Sequence, residues 1–324
     1  MIFRILKLGS AVFLGLLLYL LFVIVVDGER RTVASALAST TISKASGQTV
    51  TCPWSKLLTL LLSDLRLGLI QKRVRQDVSV IRTDERLGVE YIHTPTRSFW
   101  IKKAGGEFDG RGTLAYVLAE QEWISELSEG LGVRRGDVVV DVGAHVGTFG
   151  DNALRLGASR VIMIEPDPVN VECIRRNFAN EISSGRVVLV PEGAWSKADV
   201  LKFNTGVANS GTGSFVLPEE GHSELQVSVR PLDDILQSIG IPEVQFIKMD
   251  IEGAEREALK GAARTLARHK PRLMLDMYHL TDDEFVLPRL ITAANSSYRM
   301  TCTACSVARD AKANRVVPYA TFFY

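Results

Sequence analysis

The chain has 324 residues, a formal charge of +1 and 46% hydrophobic residues. That length accommodates one sizeable domain with appendages, and the apolar share is that of a globular protein. The near-balance of 38 basic and 37 acidic residues leaves no surplus for neutralising phosphates, which argues against a nucleic-acid partner.

Residues 9–26 carry no charge and are rich in Leu, Val and Phe, a run just long enough to cross a bilayer. Arg4 and Lys7 precede it; Asp27, Glu29, Arg30 and Arg31 follow, so the flanking charge bias is slight. The short basic N-terminus reads as a cytosolic tip followed by an uncleaved signal anchor, spanning 1–27, which would place the bulk of the chain on the lumenal or extracytoplasmic side of a lipid bilayer. A cleaved signal peptide is the rival reading, although Asp27-Gly28-Glu29 is a poor cleavage site. Residues 28–55, rich in Ser, Thr and Ala, read as a flexible stem.

Leu57, Leu58, Leu61, Leu65 and Leu69 then recur at helical spacing, predicting an amphipathic helix over 56–73 that docks on the following domain or lies along a membrane surface. Residues 78–103 alternate loosely and predict two or three short strands. Gly105-Gly106 and Gly110-Arg111-Gly112 interrupt the pattern. Residues 56–113 are thus read as an N-terminal helix and strands packed on a main domain over 114–324. A helix over 114–131 opens that domain; its Glu120 or Glu122 either binds a ligand or forms a solvated face.

The main domain is organised around residues 137–150, D-V-V-V-D-V-G-A-H-V-G-T-F-G. The valine run fits a strand buried on both faces, as in a parallel sheet. Gly143 and Gly147 make a tight turn into a helix, where backbone N–H groups are free to meet a ligand. The spacing is not the G-x-G-x-x-G of a dinucleotide site. Asp141 would repel a pyrophosphate but suits a cation. S-adenosylmethionine, with its sulfonium and ammonium and no phosphate, fits that turn better than NAD. Asp141, Gly143, Ala144, His145 and Gly147 are its candidate contacts.

A second strand over 161–164 ends in Glu165-Pro166. A carboxylate at that tip accepts hydrogen bonds from an adenosine ribose, so Glu165 and Pro166 join the set. A third strand over 187–190 leads to Gly193-Ala194-Trp195. The glycine and alanine let an adenine edge approach the backbone, and Trp195 either walls it or packs in the core. Residues 200–203 and 225–229 predict an inserted hairpin whose polar connection shapes an acceptor pocket. A fourth strand over 244–249 runs into Asp250-Ile251-Glu252. Lys248, Asp250 and Glu252 alternate at its C-terminal edge, beside the first strand, in the crevice where open α/β sheets bind ligands. A helix over 255–270 and a fifth strand over 272–275 follow. Thr281 and Glu284 read as a capping box. Two last strands, 299–302 and 319–323, joined by a polar loop, complete a mostly parallel seven-stranded sheet with an antiparallel terminal strand and helices on both faces.

Four cysteines are too few for a disulfide scaffold. Cys302-x-x-Cys305 is compatible with free thiols or with a disulfide in an oxidising compartment; zinc lacks a second ligand pair.

Asp141-Val142-Gly143-Ala144-His145-Val146-Gly147, Glu165-Pro166, Leu232-Asp233-Asp234 and above all Lys248-Met249-Asp250-Ile251-Glu252-Gly253-Ala254-Glu255 resemble the FkbM family of S-adenosylmethionine-dependent methyltransferases. The resemblance covers about 114–279. It implies a class I (Rossmann-like) methyltransferase domain and O-methylation of a hydroxyl on a glycan or other small hydroxylated acceptor. His145 stands where the family usually has Asn. Asp276 stands where it commonly has Glu, and the nearby histidine is present as His279. Asp250 and His279 are then candidate bases, and Lys248 a candidate oxyanion stabiliser. A divalent cation on Asp250, Glu252 and Asp276 is the less favoured way to activate the acceptor. An N-methyltransferase and an inactive methyltransferase-like membrane interaction module are the alternatives.

Overall fold

The computed structural model describes residues 28–47, 51–103, 109–128, 130–205, 211–217, 224–309 and 314–324. The apolar run 9–26 lies outside them. Among the described residues no helix is long and apolar enough to cross a membrane.

A seven-stranded sheet carries the chain. Its strands are β4 (Val138–Val142), β5 (Arg160–Ile164), β6 (Val187–Val190), β10 (Phe246–Met249), β11 (Arg272–Asp276), β12 (Met300–Cys302) and β15 (Ala320–Phe323), in the order β12-β15-β11-β10-β4-β5-β6. The five strands from β11 to β6 are parallel, and β15 runs antiparallel between β11 and β12. Side chains alternate between two cores, as a period of two requires. Val139, Met163, Phe246 and Met274 pack on one face with α3 (Gly110–Leu127), α4 (Thr148–Arg155) and α5 (Pro168–Asn177). Val140, Ile162, Ile247 and Leu273 pack on the other with α7 (Leu232–Ser238), α8 (Glu255–Lys260), α9 (Ala263–His269) and α10 (Asp283–Ala294). A short α6 (Ala179–Ser183) follows α5. Burial on both faces is why these strands read as unbroken apolar runs.

The expected helix over 255–270 is two helices, α8 and α9. They part at Gly261, where a Cβ would lie 2.0 Å from the Trp195 carbonyl oxygen. The expected capping box at Thr281 is not formed: the N-cap of α10 is Asp282, with no side-chain cap bond, and the Glu284 carboxylate instead holds Thr51 and Arg315. The insertion is a small sheet in which β9 (Glu224–Arg230) pairs β8 (Asp199–Asn204) and β7 (Gly193–Ala194).

At the N-terminal end, α2 (Trp54–Asp77) precedes an antiparallel sheet of β1 (Ser79–Asp84), β2 (Val89–His93) and β3 (Phe99–Lys102). Arg66 and Arg73 of α2 pair with Glu126 and Glu122 of α3, so α2 docks on the main domain. Two expectations change here. Residues 28–45, read as flexible stem, form a helix, α1 (Gly28–Ala45). Its Ala36 joins Cys52, Leu57, Leu60 and Val316 in a small third core. The polar loop between the last two sheet strands is a hairpin, β13 (Cys305–Arg309) and β14 (Asn314–Pro318). A Cys52–Cys305 disulfide ties the segment between α1 and α2 to that hairpin. Cys305 is thus bonded to Cys52 and not to Cys302, which is a buried thiol 3.6 Å from the Cys305 sulfur.

Candidate active site

The C-terminal ends of β4, β5 and β10 open into one cavity. Its floor is the turn after β4. The Gly143 and Ala144 N–H groups donate to Ile164 O at 3.0 and 3.1 Å, pinning the turn to β5. Gly143 has φ +78, and a Cβ there would sit 2.0 Å from Asp250 O, so only glycine lets β4 and the chain after β10 approach this closely. His145 also holds a left-handed backbone, φ 53. This aims its N–H at Glu165 Oε2, 2.8 Å away. Burial, with Lys248 nearby, presses its imidazole down to about 4.

Glu165 closes one end of the cavity. It is 5% exposed, and its Oε1 accepts from Asp167 N at 3.0 Å and Asn170 Nδ2 at 3.3 Å. Burial and the Asp167 charge push its carboxyl up to about 8, against the pull of these donors. Oε2 accepts from His145 and keeps acceptor capacity toward the cavity. Pro166, Gly193 and Ala194 line the same end. Phe203 and Phe215 stand over it, their rings 4.8 Å apart. The insertion is held there by Ser214, whose hydroxyl donates to Glu252 O at 2.7 Å.

The opposite end is acidic. Glu120, Lys248, Asp250, Glu252, Asp276, Tyr116 and Tyr278 line it. Lys248 donates to Gly143 O at 3.0 Å and lies 3.5 Å from Asp141 Oδ1 and 3.8 Å from Asp250 Oδ2. Burial opposes its charge, but Asp141 and Asp250 hold the ammonium above its ordinary value. Burial raises Asp141 to about 6 despite Lys248. Burial and the Asp250 charge raise Glu120 to about 8, and its carboxylate accepts from Tyr319 OH. Asp276 is raised well above its ordinary value by burial, Asp250 and Glu120.

Not every expected residue lies on the wall. Asp141 is fully buried beneath Lys248 and meets the cavity through it. Gly147, φ +90, faces the Phe178 ring, which a Cβ would approach to 2.3 Å; its role is packing under α4, not contact with the cavity. Trp195 stands behind Phe215, ring centroids 6.0 Å apart, off the cavity wall. His279 is likewise off the wall. Its Nδ1 lies 3.0 Å from Glu255 Oε1, and its Nε2 lies 3.6 Å from Asp250 Oδ1 and 3.5 Å from Glu252 Oε2. The carboxylates Asp250 and Glu252 therefore gather around His279 and not around Asp276. Glu122 faces α2. Sequence reasoning missed Phe203, Phe215 and Tyr278. Only Phe215 left a trace, in the adjacent run of small residues 209–214.

These residues fit S-adenosylmethionine. Glu165 offers a carboxyl oxygen with spare acceptor capacity that suits a ribose, Gly143 permits backbone approach, Phe203 and Phe215 suit a flat adenine ring, and the carboxylates of the other end suit a sulfonium.

Residues 141–300 match the Methyltransferase FkbM domain. Among curated relatives, the 31-O-demethyl-FK506 methyltransferase FkbM of Streptomyces tacrolimicus is 29% identical over 164 residues, 42% of this chain and 63% of that protein. The hexuronic acid methyltransferase AglP of Haloferax volcanii is 26% identical over 133 residues, 40% of this chain and 52% of that protein. The chain thus spans between half and two thirds of the length of these relatives. The crystal structure of Methyltransferase FkbM from Methylobacillus flagellatus is 19% identical, with a TM-score of 0.45 over 92% of this chain and 72% of that one.

Proposed function

We propose that the chain is an S-adenosylmethionine-dependent O-methyltransferase acting on a hydroxyl of a sugar or similar hydroxylated small molecule. One observation carries this reading: Glu165 and the Lys248–Asp250–Glu120 wall face each other across a single glycine turn. Glu165 holds the ribose, and Gly143, Ala144 and His145 form the floor beneath the donor. When bound, S-adenosylmethionine supplies an electrophilic methyl group, and the C–S bonding pair stays on sulfur as the acceptor oxygen bonds the carbon.

The chain's own contribution is placement and proton removal. Holding the acceptor oxygen in line behind the methyl carbon supplies much of the rate. An alcohol must also lose its proton as the O–C bond forms. Glu120, raised to about 8, is matched to that task near neutral pH and lies on the acceptor wall. Lys248 steadies the oxyanion and Asp250 orients the hydroxyl. His279, engaged by Glu255, positions Asp250 instead of acting as the base. Relatives named for the methylation of 31-O-demethyl-FK506 and of a hexuronic acid support an oxygenated acceptor.

The uncharged run 9–26 supports a membrane tether, with the methyltransferase domain outside the cytosol. Trp54, Leu58, Leu62 and Leu69, exposed on α2, would face the same bilayer.

The test is to incubate the full chain with isotopically labelled donor and a fractionated glycan and metabolite extract, and to follow which molecule gains a methyl group. Transfer to an oxygen is expected. Calorimetry with S-adenosylhomocysteine runs alongside, and no binding there would turn the reading toward an inactive interaction module.

A further inference from the structure

We infer that Asp250, Glu252 and His279 form a divalent-cation site on the acceptor side of the cavity. The inference rests on the methyltransferase reading for its purpose but not for its geometry. One ligand atom from each residue lies within 4.8 Å of the other two. Asp250 and Glu252 follow β10, and His279 follows β11, the adjacent strand. The ligands thus come from the two segments that directly follow neighbouring parallel strands.

The contacts are wrong for hydrogen bonds and right for a shared ion. Nε2 of His279 is 3.6 Å from Asp250 Oδ1 and 3.5 Å from Glu252 Oε2. Both distances exceed the usual range of N–H···O bonds, about 2.7–3.2 Å. Ligands held about 2.1 Å from one metal ion stand about 3.0–3.4 Å apart, depending on coordination number. A shift of a few tenths of an ångström closes that gap.

The imidazole is set for the task from behind. Glu255, fully buried, receives the Nδ1 proton at 3.0 Å and accepts from Ile251 N at 2.9 Å through the same oxygen. A carboxylate on Nδ1 orients the ring with Nε2 facing outward and raises its basicity, as in carboxylate–histidine–metal arrangements. Nε2 points at the Asp250 and Glu252 oxygens. Despite burial, these and Glu255 hold the imidazole protonated well above its ordinary range when no ion is bound, so a metal ion enters by displacing that proton.

A second observation is independent of the three ligands. Asp276, 6% exposed, lies on the same cavity wall, and its Oδ1 is buried without a hydrogen-bond partner. A buried carboxyl oxygen without a partner is costly, and burial beside Asp250 and Glu120 already raises this group well above its ordinary value. Lys248 is already shared between Asp141 and Asp250. A cation at the triad would offset part of the negative charge that this wall gathers.

Two carboxylate oxygens and one imidazole nitrogen favour a borderline-hard ion such as Mn²⁺ over Cu⁺ or Ca²⁺. Its remaining positions take water and the acceptor hydroxyl. Ligation lowers the hydroxyl's pKa. The O–H bond then breaks toward Glu120, and the oxygen keeps the electron pair that attacks the methyl carbon.

The experiment is a titration of chelator-treated full chain with Mn²⁺, followed by loss of the free-ion electron paramagnetic resonance signal. The Glu252→Gln and His279→Gln variants are titrated in parallel. S-adenosylhomocysteine calorimetry on all three proteins reports whether the cavity is intact. One Mn²⁺ per wild-type chain is expected, with binding at least tenfold weaker in each variant while S-adenosylhomocysteine binds all three. Failure of the wild type to bind Mn²⁺, or undiminished binding in both variants, overturns the site. Mn²⁺ binding without S-adenosylhomocysteine binding would leave the cation site standing and overturn the methyltransferase reading.

Discussion

Lys248 lies opposite Asp141 in the parallel register of β10 and β4, and its ammonium reaches 3.5 Å from the Asp141 carboxylate, which is fully buried. This contact joins the glycine turn to the acidic wall, because the same nitrogen also holds Gly143 O at 3.0 Å. Removing one partner of a buried ion pair is far more costly than removing both, since a lone buried charge remains. Lys248→Met is therefore expected to lower unfolding free energy by about 3 kcal/mol or more. Asp141→Asn in that background should recover a large part of the loss. Urea denaturation of the two single variants and the double variant measures the coupling. Additive losses would mean the pair is not one unit.

Glu165 is expected to report the donor through protons. Its carboxyl is raised to about 8, so at pH 7 the free protein holds it mostly protonated. Ribose hydroxyls donate to the ionised form and pull that pKa down. Binding of S-adenosylhomocysteine at pH 7 should then release a proton, seen as a dependence of the calorimetric heat on buffer ionisation enthalpy. Glu165→Gln should abolish the release and weaken binding at least tenfold, about 1.4 kcal/mol.

The raised Glu120 has a kinetic counterpart. Asp250, Lys248, Glu252 and His279 all face it, and burial with Asp250 sets it near 8. A base must be unprotonated to act. Methyl transfer should therefore increase as pH rises toward about 8 and level off above. In Glu120→Gln that limb should vanish and kcat should fall by about 10²-fold or more. An unchanged pH profile in the variant would move the proton to another group.

Gly143→Ala tests the closeness of the two strand ends. The added Cβ meets Asp250 O at 2.0 Å and sits at φ +78. Backbone must move, and it moves at the point where the Glu165 end and the acidic end of the cavity meet. A loss of both stability and S-adenosylhomocysteine affinity is expected, measurable by thermal melting with and without ligand.

The core of the sheet was legible because β4, β5 and β10 are buried on both faces, which writes them as runs of Val, Ile and Met. Lys248, Asp250 and Glu252 were legible because charge at the end of such a run has no packing reason to be there. What escaped notice depended on long-range contact. Helix α1 looked like a stem because the buried side chains among its described ones, Ala36 and Thr40, are small, and composition alone does not separate a small-residue docking face from a linker. The hairpin of β13 and β14 lacks clear alternation in A-C-S-V-A-R. Phe203 and Phe215 meet only because the chain after β8 returns to its end, where Ser214 bridges Asn204. The grouping of Asp250 and Glu252 with His279 and not Asp276 depends on how the chain after β11 turns, which strand periodicity does not encode.

The Cys52–Cys305 link should matter most for the N-terminal helices. It closes a loop of 253 residues in sequence, and the chain-entropy relation assigns a loop of that size about 5 kcal/mol as an upper value. The residues it joins share a core with Ala36, Leu57, Leu60 and Val316, so losing the bond should loosen α1 and α2 before the main sheet. In Cys52→Ala, trypsin is expected to cut at Lys44 and Lys56 faster than in the wild type, while the Lys248 region stays protected and S-adenosylhomocysteine still binds. Peptide mapping without reductant should recover Cys52 joined to Cys305 in the wild type. In the variant, Cys302 and Cys305, already 3.6 Å apart at sulfur, become free to pair with each other. Equal cleavage rates in both proteins would show that the third core holds α1 and α2 in place without the covalent link.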